Sequence, residues 1–158
     1  MTLTLSPGHL LFPIFEPMIE LRVVDGFGIA VLGRYGTISV DDSLGESHRF
    51  TAYELGGQLS WYPLDAFRSL AVGAEDLYVK VETEPNSAAT VTGVGDGVAM
   101  GPFIGYKLVT RGGFTFLAQG GVQYIAIRAE AEDSSGNTES DEDSRVIPLL
   151  NLNIGWSF

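Results

Sequence analysis

Leu150-Asn151-Leu152-Asn153-Ile154-Gly155-Trp156-Ser157-Phe158 alternates without a break to the last residue. Successive side chains of an extended chain point to opposite faces. Leu150, Leu152, Ile154, Trp156 and Phe158 therefore share one face, and Asn151, Asn153, Gly155 and Ser157 the other. The same period recurs upstream. Tyr53, Leu55, Gly57, Leu59 and Trp61 oppose Glu54, Gly56, Gln58, Ser60 and Tyr62. Phe114, Phe116, Ala118, Val122 and Tyr124 oppose Thr115, Gln119, Gly121 and Gln123. Ile19, Leu21 and Val23 oppose Glu20 and Arg22, and Ile29, Val31 and Tyr35 oppose Arg34. Helical spacing is scarce, so the chain reads as all-β.

The period predicts eight strands, at 2–11, 14–24, 28–40, 49–62, 68–81, 97–110, 113–130 and 146–158. A single long strand over 2–24 would make the count seven. The connections alternate in character. Asp25-Gly26-Phe27, residues 63–67 and Arg111-Gly112 are short turns, while 41–48, 82–96 and 131–145 are polar loops. An even count places both termini at the turn end. The length of 158 residues suits one domain over 1–158.

Composition narrows the solvent. The chain has no cysteine, 20 acidic and 9 basic residues, a net charge of -11, and a mean hydropathy of +0.17. Disulfides and thiolate metal sites are excluded. The acidic balance argues against nucleic acid, which needs a basic face. No apolar stretch is long enough for a transmembrane helix, but a closed sheet remains a route across a bilayer. Residues 41–49, 82–96 and 130–145 carry -2, -3 and -6, and everything else is neutral.

A barrel with water outside would put the apolar face within; a barrel in lipid reverses this. Three features favour the reversed case. Tyr53, Trp61, Phe114, Tyr124, Trp156 and Phe158 lie near strand ends, where aromatic girdles sit at membrane interfaces. The polar face holds Gly, Gln, Asn and Ser rather than many Lys. The strands' polar-face charges balance, with Glu20, Glu54 and Glu75 expected inside against Arg22, Arg34 and Lys107. An unpaired buried charge costs about 3–5 kcal/mol, so a filled interior needs such a balance. Gln58, Gln119, Gln123, Asn151 and Asn153 complete the expected inner network. The exception is Asp76, which Glu75 forces outward unless a bulge turns it in; outward, it would be tolerated near the outer interface.

The ending N-L-N-I-G-W-S-F resembles the C-terminal signature of bacterial outer-membrane β-barrels, and the strand count, turns and acidic loops resemble the small eight-stranded OmpA, OmpX and OmpW kind. The resemblance covers essentially the whole chain and speaks for architecture more than activity. It implies a closed antiparallel up-and-down transmembrane barrel in a Gram-negative outer membrane. It also implies insertion by the outer-membrane assembly machinery, with Ile154, Trp156 and Phe158 matching the signal that machinery reads. Membrane lipids or detergent would surround the outer girdle, and the chain is expected to be a monomer. A signal peptide is expected in such a family; none is visible before Thr-Leu-Thr-Leu, so the sequence reads as the mature domain.

Chemistry beyond architecture is thin. Ser47 and His48 are neighbours and would point apart on a strand, and His9 has no evident serine partner, so no catalytic set is expected. The acidic stretch 130–143 offers oxygen ligands but lacks the spacing of a calcium loop, and no metal or cofactor is expected. The stretch 91–97 lacks the Lys-Ser/Thr of a phosphate loop. Eight strands leave an interior that side chains fill, which disfavours steady conduction. The reading is a non-enzymatic, structural or surface-interacting outer-membrane protein with a plugged polar lumen. A narrow channel, a lipid-modifying enzyme and a soluble lipocalin-like barrel are the rivals, the last without an N-terminal G-x-W signature.

Overall fold

The computed structural model describes residues 1–7, 14–41, 47–64, 68–83, 92–132 and 138–158. It is all-β. The strands are β1 (Thr2–Leu5), β2 (Ile14–Phe15), β3 (Pro17–Val24), β4 (Phe27–Asp41), β5 (Ser47–Trp61), β6 (Ser69–Thr83), β7 (Thr92–Val109), β8 (Phe114–Glu132) and β9 (Thr138–Ser157). Each pairs antiparallel with its neighbours in a nine-stranded sheet. β4 pairs with both β3 and β5, and β1 bridges β3 to β9, so eight strands close into a ring. No described helix is long and apolar enough to cross a membrane.

Nine elements and eight predicted strands describe nearly the same chain. Phe15 pairs with Tyr35 and Met18 with Leu32, so β2 and β3 keep one register along β4. The ladder breaks between them at Glu16 and Pro17, and proline has no N–H to give it. Residues 8–13, including His9, lie outside the described residues, as does most of the expected first strand beyond Leu5.

The hairpin ends differ from expectation. Strands run into all three stretches read as loops, and 131–145 is largely strand. β9 begins at Thr138, and Asp141, Glu142 and Asp143 pair with Ala129, Arg128 and Ile127. β7 begins at Thr92 and β5 at Ser47, which pairs with Asp41. Polar residues on both faces hide the alternation, yet backbone pairing continues because a hairpin ladder needs no apolar face once its lower part is registered. The Ser47 and His48 side chains lie outside the description.

The turn end is tight. Gly26 has φ +78°, a conformation open to glycine, and its carbonyl accepts from the Tyr62 amide at 2.7 Å. The closing seam depends on Gly155, where an added Cβ would run into the Leu3 carbonyl and lie 2.7 Å from Thr4 Cα. Four residues of β1 hold that seam to β9. Gly155→Val is therefore expected to open the seam and lower the denaturant midpoint of unfolding; an unchanged midpoint would contradict this.

Large apolar side chains lie outside, and a set of charged and amide side chains lies within. Leu3, Ile19, Val31, Leu55, Leu59 and Ile104 are exposed, whereas Glu16, Glu20, Glu75, Lys107, Gln119 and Asn153 are buried. The interior is less polar than expected. Met18, Ala30, Leu32, Leu77, Val79, Ala99 and Leu117 form an apolar cluster inside the ring, with Val81 and Ile125 packed on it. A narrow ring excludes water from these positions, so dispersion contacts serve there as well as hydrogen bonds.

Candidate functional site

The interior network has two centres. Arg34, inward on β4, is the first. Its Nε donates to Glu16 Oε2, Nη1 to Glu54 Oε2 at 2.9 Å, and Nη2 to Glu75 Oε1 at 3.1 Å and Asn151 Oδ1 at 3.4 Å. The planar fork of guanidinium donors lets one side chain reach carboxyl groups from three strand segments. Glu54 faces Arg34 across the β4–β5 ladder, and Glu75 faces Gln58 across β5–β6. Gln58 and Gln119 exchange amide hydrogen bonds at 3.4 and 3.1 Å. Gln123 Nε2 donates to Glu75 Oε1 at 3.1 Å, and Asn151 Nδ2 to Glu75 Oε2 at 3.5 Å.

The second centre lies toward the turn end. Lys107 Nζ donates to Glu20 Oε2 and, at 2.9 Å, to Thr2 Oγ1. The Tyr62 hydroxyl donates to Glu20 Oε1 at 2.6 Å, and Lys107 Nζ stands 5.7 Å from the Tyr62 ring centroid. Thr2 and Thr115 each meet the Ser157 hydroxyl, at 2.9 and 2.7 Å. This cluster ties β1 and β3 to β7, β8 and β9, across the seam.

The structure brings Glu20, Arg34, Glu54, Gln58, Glu75, Lys107, Gln119, Gln123 and Asn151 into these two groups. Asn153 is buried beside them, but its side chain makes no hydrogen bond among the described residues. Arg22 is a correction. It lies exposed at the turn end and pairs with Asp25, because the β3–β4 register shifts between Arg22 and Val24. Glu16 is an addition: it is buried, four residues before Glu20 on the same face. Tyr62 is the other, and its place on the polar side of the fifth strand signalled it. The inner charges are therefore unbalanced. Among the described residues four carboxyl groups, Glu16, Glu20, Glu54 and Glu75, face two cations, Arg34 and Lys107.

On the outer face Tyr53, Trp61, Phe114, Tyr124, Ile154, Trp156 and Phe158 are all exposed. Tyr35 and Tyr53 pack at 5.2 Å between centroids near the loop end, and Phe27 and Trp61 at 6.5 Å at the turn end. Past the upper aromatics the register sets Lys80, Asp96, Arg128 and Glu142 side by side on four strands. Asp76 points outward with no bulge, since Gln58↔Glu75, Gly57↔Asp76 and Gly56↔Leu77 run in unbroken register. Gly57, its partner, is four residues from Tyr53 and four from Trp61. Asp76 thus lies inside the apolar belt, midway between the levels of Tyr53 and Trp61.

No known protein family, curated protein or solved structure matches this chain.

A cavity of about 240 Å³ adjoins Arg34, Glu54, Gln123 and Asn151, with Ile125 and Leu149 among its walls. Among the described residues no three His, Cys, Asp or Glu side chains are grouped to hold a metal ion. The arrangement can cross-link strands and fill the ring.

Proposed function

We propose that this chain is an integral outer-membrane β-barrel, non-enzymatic, which spans the bilayer and presents its acidic hairpin ends to the outside as a structural or surface-interacting protein. The observation that carries this reading is the inversion of the two faces. A continuous ring of exposed Leu, Ile, Val and aromatic side chains surrounds a core of hydrogen-bonded Arg, Lys, Glu and Gln. In water such an outer surface is an aggregation hazard; monomeric soluble proteins rarely expose apolar patches beyond a few hundred Å². In lipid it is the expected solvent contact, and the β1–β9 ladder, from Thr2↔Ser157 to Leu5↔Ile154, closes the ring as a bilayer-spanning sheet requires. The aromatic pairs at both ends suit the two interfaces, and the Lys80–Asp96–Arg128–Glu142 row suits the outer boundary.

The interior supports a plug rather than a pore. Arg34 and its partners come from β4, β5, β6 and β9 and meet across the ring. The detergent-refolded chain is expected to migrate differently on a gel before and after boiling, and planar-bilayer recording is expected to show no steady large openings. A chain that stays soluble and monodisperse without detergent would overturn the reading; sustained large conductance would overturn the plug.

A further inference from the structure

Asp76 is the only charged outward side chain between the aromatic girdles among the described residues. Nothing among the described residues offsets it. Among the described residues its carboxyl group has no hydrogen-bond or ion-pair partner, nor has the hydroxyl of Tyr78, two residues along the same face. Glu75 is on the inner side, and the nearest outward charges, Lys80 and Glu82, pair with each other at 2.6 Å. The wall dips here. Leu55, Gly57, Leu59, Ala74 and Tyr78 line a shallow depression that includes Asp76, where Gly57 and Ala74 carry almost no side chain.

A carboxyl group facing hydrocarbon is costly, and polar side chains inside a membrane are met with partners. We propose that the β5–β6 face around Asp76 is the contact between two copies of this chain. The inference rests on the membrane reading and goes beyond it. A two-fold axis along the membrane normal keeps every residue at its own depth, so the Asp76 face of one barrel meets the same face of the next. An isologous contact pairs residue i with j and j with i. Asp76 supplies the acceptor and Tyr78 the donor; they lie two residues apart on one strand, an offset that the length of a tyrosine side chain spans, so Tyr78 of each copy donates to Asp76 of the other across the two-fold. Gly57 and Ala74 let the walls approach closely, as small residues do where membrane segments pack. No outward Lys or Arg lies at this depth among the described residues, so the contact is a hydrogen-bonded one and not a salt bridge.

The chain has no native cysteine, so single cysteines report the contact. Ala74→Cys and, on β3 away from this face, Ile19→Cys are each reconstituted at low density in phosphatidylcholine vesicles and oxidised. Ala74→Cys is expected to form disulfide dimer several-fold more than Ile19→Cys. Adding Asp76→Leu or Tyr78→Phe to Ala74→Cys is expected to lower its yield toward the Ile19→Cys level, while the heat-sensitive band shows the barrel intact. Equal cross-linking at the two sites, or full cross-linking with Asp76→Leu, overturns the proposal. A chain that enters vesicles and stays monomeric overturns the dimer alone, whereas one that does not enter them overturns the membrane reading beneath it.

Discussion

Replacing Arg34 with alanine is expected to cost about 3–5 kcal/mol of stability, the scale for removing one partner of a buried ion pair. The reason is what remains. Glu16 and Glu75 are buried, and Glu54 is only 24% exposed, so three carboxyl groups lose their shared donor at once. Lys107 pairs with Glu20 and cannot replace it. Urea unfolding of the chain reconstituted in vesicles measures the loss. Glu54→Gln is the contrast. Its side chain reaches water and the amide still accepts from Arg34, so a loss of about 1 kcal/mol or less is expected. Equal losses for the two variants would mean that Arg34 is not the hub.

The second large effect is expected on the opposite face. Val31 is 58% exposed on β4, four residues from Phe27 and four from Tyr35. On a water-facing surface, Val31→Arg would change stability by no more than about 0.5 kcal/mol. At the centre of a lipid-facing belt it is expected to cost about 2–4 kcal/mol. Val31→Leu is expected to be close to neutral in either solvent. The magnitude of the arginine penalty, from unfolding in vesicles, therefore distinguishes lipid from water.

The outer face was legible wherever the inner face was polar. β9, β5 and β8 alternate cleanly because Asn151, Asn153, Gln58, Gln119 and Gln123 separate the lipophilic residues. The signal fades where the interior itself wants oil. Leu32 follows Val31, and Leu77 stands between Asp76 and Tyr78, so both faces of those stretches look alike and the inner cluster escaped notice. Glu16 escaped because Pro17 interrupts its strand, although it shares the face of Glu20. Arg22 kept its expected side of β3 but is the last residue before the register shifts, at the turn end, where Asp25 offers a nearer carboxylate. The balanced inner charge set failed on those two residues together. The acidic run at 139–143 reads as loop by composition, yet it is strand, because its pairing continues a ladder registered lower down. Asp76 obeyed the alternation strictly. That left it in the belt instead of at the interface, and a lone carboxyl group there is what motivates the proposed contact.

The two tryptophans, Trp61 and Trp156, both lie on the outer face, so their fluorescence reports the solvent of that face directly. In vesicles the account predicts strong quenching by lipids brominated on their acyl chains and little by aqueous iodide. Strong quenching by iodide with none from brominated chains would place water against those rings and contradict it.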